Sequence, residues 1–155
     1  MQHCTMTSRV LVLGLVLCMV RTLNAQDTTH AACWDTAMSQ ADLTQCAGTD
    51  LQTSRARLQH LLVELGTTLD SAARPGLRII QARWEAYAKI QCTWEGAAYD
   101  GGSMRPMIES SCLANLTEQR IATLKPFLCG WENQAPDCAA ARKYDLPPPV
   151  RRAPP

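Results

Sequence analysis

The sequence predicts an all-α fold: a disulfide-stapled up-down-up three-helix bundle, preceded by a short N-terminal helix and followed by a Pro-rich disordered tail. Three observations carry that prediction. Apolar residues recur at a period near 3.6, no stretch alternates as a strand would, and Pro75, Pro106 and Pro126 punctuate the periodic runs. A length of 155 residues allows one ordinary domain. With aromatics at 5% and a single phenylalanine, the core must be built from Leu, Ile, Val and Ala.

The first segment reads as a secretory signal over residues 1–25. Arg9 supplies positive charge, Val10 to Val20 is apolar, and Ala25 offers a small residue before a cut at Gln26. As a helix the apolar run spans roughly 16 Å, about half of a bilayer core, so no stable membrane insertion is expected once the signal is removed. Leu17 before Cys18 speaks against a lipid anchor, which wants a small residue there. The expected organisation is a signal peptide at 1–25, a helical domain at 26–130, and a cysteine-closed loop with a Pro-rich tail at 131–155.

The helices follow in order. Ser39, with Asp42 three residues on, is an N-cap for a short helix at 39–47. Leu58, Leu61, Leu62, Leu65 and Leu69 form a stripe on a long helix at 50–72. Arg74-Pro75-Gly76 is expected to turn the chain. Leu77, Ile80, Trp84, Tyr87, Gln91, Trp94 and Ala98 then step by three and four, a heptad seam on a helix at 77–99. Asp100-Gly101-Gly102-Ser103 makes the second turn, and Ile108, Cys112, Leu116, Leu124 and Leu128 mark a third helix near 106–125. Short connections make neighbours antiparallel.

The cysteines sharpen this picture. Of the eight, Cys4 and Cys18 fall in the signal segment, leaving six, an even number suited to a disulfide framework in an exported protein. Cys92 lies ten residues before Gly102 and Cys112 ten after it, so a hairpin pivoting there brings both to one height and singles out Cys92–Cys112. Cys33–Cys46 and Cys129–Cys138 are the local staples expected beside it.

Fifteen basic residues against fourteen acidic ones exclude a protein that coats nucleic acid or an anionic membrane. Catalytic signatures are thin: no phosphate loop, nucleophile elbow, metal-ligand spacing or cofactor motif occurs, so no metal, no cofactor and no enzymatic activity are expected. His60 reads as a helix-surface residue. Glu85, Glu95, Glu109 and Glu118 are scattered, and a compact three-helix bundle is expected to lack the cleft a pair of catalytic carboxylates needs. The turn Tyr99, Asp100, Gly101, Gly102, Ser103, Met104 and Arg105 is the candidate partner-binding site. Its glycines bare the backbone, Tyr99, Met104 and Arg105 offer contact chemistry, and a disulfide beneath it would hold it rigid.

The order of motifs resembles a known family. Cys33, then Gln40-Ala41-Asp42-Leu43, Cys46-Ala47, and Gln81-x-x-Trp84-x-x-Tyr87 leading to Cys92 are followed by Glu95, Gly101-Gly102-Ser103-Met104, Cys112-Leu113-Ala114 and Leu116-Thr117-Glu118-Gln119-Arg120. This series, over about residues 33–128, is similar to the LprI-like lysozyme inhibitors of exported bacterial proteins. The resemblance implies a helical, disulfide-bonded periplasmic or secreted protein with lysozyme as its candidate partner. The glycines, contact residues and disulfide brace of the Tyr99–Arg105 turn make it the expected insert into the enzyme's cleft, with Arg105 meeting the two catalytic acids there. An Arg-Asp pair common in the family, near Ala88-Lys89 here, is lacking. The alternative reading is a periplasmic structural or envelope-assembly module that binds a partner through its helical faces.

Overall fold

The computed structural model describes residues 32–130 and 138–145. The expected signal segment and Pro-rich tail lie outside the described residues, as does most of the loop between Cys129 and Cys138. The chain divides into two compact units, Met1–Thr36 and Ala37–Pro155. Within the first, residues 32–36 are helical, and the Thr36 hydroxyl donates to the Ala32 carbonyl at 2.6 Å. Cys33 there is disulfide-bonded.

The second unit is all-α among its described residues, with α1 at Gln40–Thr68, α2 at Ala73–Gly96, α3 at Arg105–Leu124 and a short α4 at Ala139–Arg142. Single 3-10 turns follow α2 (Ala97–Tyr99) and α3 (Lys125–Cys129). Ser39 caps α1 as the sequence suggests: its hydroxyl accepts from the Asp42 N–H at 3.2 Å, and the Asp42 carboxylate accepts from the Ser39 N–H at 2.9 Å. Cys46 on α1 is also disulfide-bonded.

The short helix expected at 39–47 and the long one expected at 50–72 are one continuous helix. Gly48 costs a helix interior only about 0.5–1 kcal/mol. Against that, Ala47, Leu51, Ser54, Leu58, Leu61 and Leu65 are all buried, stepping by four and three along a single face that never breaks. Ser54 hides its polarity by donating to the Leu51 carbonyl at 3.0 Å. The first turn also sits earlier than Arg74-Pro75-Gly76. Asp70 makes it, its carboxylate accepting from the Ala72 and Ala73 N–H groups at 2.9 and 2.7 Å. Pro75 and Gly76 then lie in the first turn of α2, where the missing proline N–H would have no intrahelical partner anyway.

The helices do not share their contacts equally. α1 packs mainly on α3, α2 also packs on α3, and the backbones of α1 and α2 come close at few points. Leu58, Leu61 and Leu65 of α1 meet Ile121 and Leu124 of α3, and Tyr144 after α4 closes the cluster. The Arg57 guanidinium ties the three elements. Its Nη1 donates to both Glu118 oxygens at 2.6 Å and its Nη2 to the Tyr144 carbonyl at 2.8 Å. The disulfide Cys129–Cys138 closes the chain into this clasp.

Tyr144 carries a pH prediction. Its hydroxyl donates to Glu64 Oε2 at 2.8 Å, and burial, then that bond, push its pKa up to about 12. The same bond, with Lys143, holds the Glu64 carboxyl below its ordinary range. The folded state therefore keeps a proton that the unfolded chain releases near pH 10, so the stabilisation is complete below about 10 and disappears as pH rises through about 12. Urea midpoints measured across this range should fall more steeply in the native protein than in Tyr144→Phe.

Candidate partner-binding site

The site is built on the α2–α3 hairpin. Cys92 and Cys112 are joined by a disulfide, with Cα atoms 5.5 Å apart and 20 residues of separation. That bond fixes which face of α2 looks inward. Gln81, Ala88, Cys92 and Gly96 are buried, mostly small residues that let α2 come close to α3. Gly96 is the tightest point: a Cβ there would stand 2.6 Å from Cγ of Glu109 and 2.7 Å from its Oε1.

The heptad seam expected on α2 is consequently misplaced. Leu77 and Trp84 do reach the core cluster. Ile80, Tyr87 and Trp94, however, are exposed, and Ile79 and Ile90 join them. The sequence seam followed the largest side chains, whereas the disulfide selects the face one step round the helix. On α3 the buried line is Cys112, Ala114, Thr117, Ile121 and Leu124, so Ile121 replaces the expected Leu116 and Ile108.

The turn itself is a clamp. Gly101 takes φ +72°, the left-handed region that favours glycine, and the Gly102 N–H donates to the Tyr99 carbonyl at 3.0 Å. The Asp100 carboxylate accepts from the Gly101 N–H at 3.1 Å and from Arg105 Nη1, while Arg105 Nε donates to Glu109 Oε1 at 2.8 Å. These two carboxylates hold the Arg105 guanidinium even more firmly protonated than usual, Glu109 first and Asp100 next. Arg105 is thus engaged with the chain's own acids, and braces the turn. The large apolar groups that the turn leaves facing outward are Tyr99 and Met104, at 39% and 40% exposure.

Two depressions flank the hairpin, where no cleft was expected. One, of about 930 Å³, opens between α1 and α2 over α3. It opens because α2 leans on α3 and its backbone stays apart from α1; Leu62, Val63, Trp84 and Leu113 line it with Arg55, Glu85 and Lys89. The other, about 700 Å³, runs from Ile90 and Trp94 to Asp100 and Arg105. Sequence reasoning missed both. The available signal was that α2 carries more large apolar residues than one buried face can hold.

Of the scattered carboxylates, Glu109 is tied to Arg105 and Glu118 to Arg57. His60 is exposed on α1. Among the described residues no group of three His, Cys, Asp or Glu is placed to hold a metal, and no helix is long and apolar enough to cross a membrane.

A small helical domain whose hairpin is stapled beneath a clamped, outward-facing turn belongs to the class of disulfide-braced helical domains. Comparison with known proteins narrows this. The chain belongs to the family described as lysozyme inhibitor LprI, whose model matches residues 33–124. It is also 38% identical over 135 residues to uncharacterized protein R02472 of Rhizobium meliloti (strain 1021), covering 78% of this chain and 95% of that one. No solved structure matches the chain. The family is one of inhibitors, with lysozyme as the partner it implies. Its disulfides are those of proteins that work outside the reducing cytoplasm.

Proposed function

We infer that this protein is exported through its N-terminal signal to the periplasm or beyond, and there inhibits lysozyme by seating the Tyr99–Arg105 turn in the enzyme's cleft. The observation that carries this reading is the clamped turn. Disulfide, glycine conformation and the Asp100–Arg105–Glu109 pairs order it before any partner arrives, so binding loses little conformational entropy. Tyr99 and Met104 supply the apolar contact, and Asp100, with its side chain 75% exposed, supplies a carboxylate at the tip. Once Arg9 and Arg21 leave with the signal, thirteen basic and fourteen acidic residues remain, so the hold comes from local fit rather than bulk attraction.

The test is turbidimetric: lysis of cell-wall suspensions by lysozyme, with and without the purified oxidised protein. Inhibition at near-stoichiometric ratios is expected. No inhibition at large excess, with recovery of an endogenous envelope partner instead, would favour an interaction module that never meets lysozyme.

Gly96→Ala offers an independent check. The added methyl displaces Glu109, releasing Arg105 on one side while leaving the core untouched. Inhibition should weaken by roughly three- to tenfold, the loss expected from about 1 kcal/mol of a charge-assisted contact. The helical circular dichroism should be unchanged.

A further inference from the structure

The largest feature that this reading leaves unused is the outer face of α2. Ile79, Ile80, Tyr87, Ile90 and Trp94 are exposed by 61, 51, 55, 71 and 72% respectively. At 100° per residue all five fall within a stripe about 100° wide, on the side of α2 turned away from Ala88 and Cys92. Solvated isoleucines and tryptophans are ordinary singly; five aligned on one helix are a surface made to be covered.

We propose that this stripe is a homodimer interface in which α2 packs antiparallel on α2 of a second copy. Its symmetry points to that occupant. Ile80 and Trp94 are each seven residues from Tyr87, so a two-fold axis at Tyr87 sets Ile80 against Trp94 of the second copy, Trp94 against its Ile80, and Tyr87 against its Tyr87. A patch that complements itself under one rotation closes as a dimer and leaves no open end.

Small and uncharged neighbours fit the same arrangement. Ala82, Ala86, Thr93 and Ala97 flank the stripe, allowing the axes to approach to the roughly 8–10 Å typical of packed helices. Arg83, the charged residue within the stripe, lies eight residues before Gln91, which donates to Glu95 at 2.9 Å. The antiparallel two-fold brings Arg83 to that Gln91–Glu95 pair on the other copy, twice. A parallel pairing would instead set Arg83 against Arg83. The exposed area of the five residues is roughly 600 Å² per copy, below the ~800 Å² of a standard interface and suited to a dimer that dissociates on dilution. In this dimer the two Tyr99–Arg105 turns point to opposite ends and both remain accessible.

Sedimentation velocity on the oxidised protein, from about 1 to about 100 μM, tests the proposal. A monomer–dimer equilibrium is expected. Tyr87→Glu, which opposes two carboxylates at the axis, should weaken it at least tenfold without changing the circular dichroism. Arg83→Glu should weaken it likewise, and adding Glu95→Arg to that variant should restore it. A monomer throughout the range, or a dimer indifferent to Tyr87→Glu and Arg83→Glu, overturns the proposal. So does a monomer whose stripe variants lose lysozyme inhibition, which would assign the stripe to the enzyme.

Discussion

Replacing Tyr99 and Met104 together by alanine is expected to weaken lysozyme inhibition by about thirtyfold or more, the loss of about 2 kcal/mol that defines a binding hot spot. Both side chains are held half in the protein and half out, at 39% and 40% exposure, so their truncation removes contact area without opening the core. The backbone beneath them is independent of either side chain. Gly101 sets the chain reversal and Arg105 holds Asp100 and Glu109 on either side of it. Melting temperature should therefore hold while inhibition collapses, measured as the concentration needed to halve the rate of cell-wall lysis. Unchanged inhibition would move the contact away from the turn.

Removing the Cys92–Cys112 bridge by double alanine substitution is expected to cost about 3 kcal/mol of stability, from the loop-closure entropy of a 20-residue separation. For a domain of this size that corresponds to a fall of on the order of 15 °C in Tm. The functional consequence separates this bridge from the other. Cys92 and Cys112 lie beneath the proposed contact turn, so inhibition should fall along with stability, even well below the new Tm. Cys129 and Cys138, separated by nine residues, close the clasp at the other side of the fold. Their double alanine variant should lose stability and keep its inhibition.

Much of the fold was legible in the residues. The Leu58–Leu69 stripe marks the buried face of α1, and the placement of Cys92 and Cys112 about Gly102 gives the register of the hairpin. Ser39 and Asp42 cap α1 as their spacing implies. What the sequence hid were differences of a kilocalorie or so. Gly48 falls in the gap expected between helices at 39–47 and 50–72, yet its modest helix cost is outweighed by a buried line from Ala47 to Leu65. The buried face of α2 differs from the expected seam for a related reason. Large side chains suggest a core face, but close packing beside a disulfide selects Ala88 and Gly96 and turns Tyr87 and Trp94 outward. For the turn, the position was visible from Gly101 and Gly102, whereas the role of Arg105 was not. Its pairing with Glu109 is a plain four-residue helical spacing, but only the geometry shows that it also holds Asp100.

The most direct measurement is steady-state kinetics of lysozyme on a soluble oligosaccharide substrate at several fixed concentrations of the oxidised protein. A turn that occupies the cleft competes with substrate, so the apparent KM should rise with inhibitor concentration while kcat stays constant. A fall in kcat at constant KM, or rates indifferent to the protein, would contradict occlusion of the cleft.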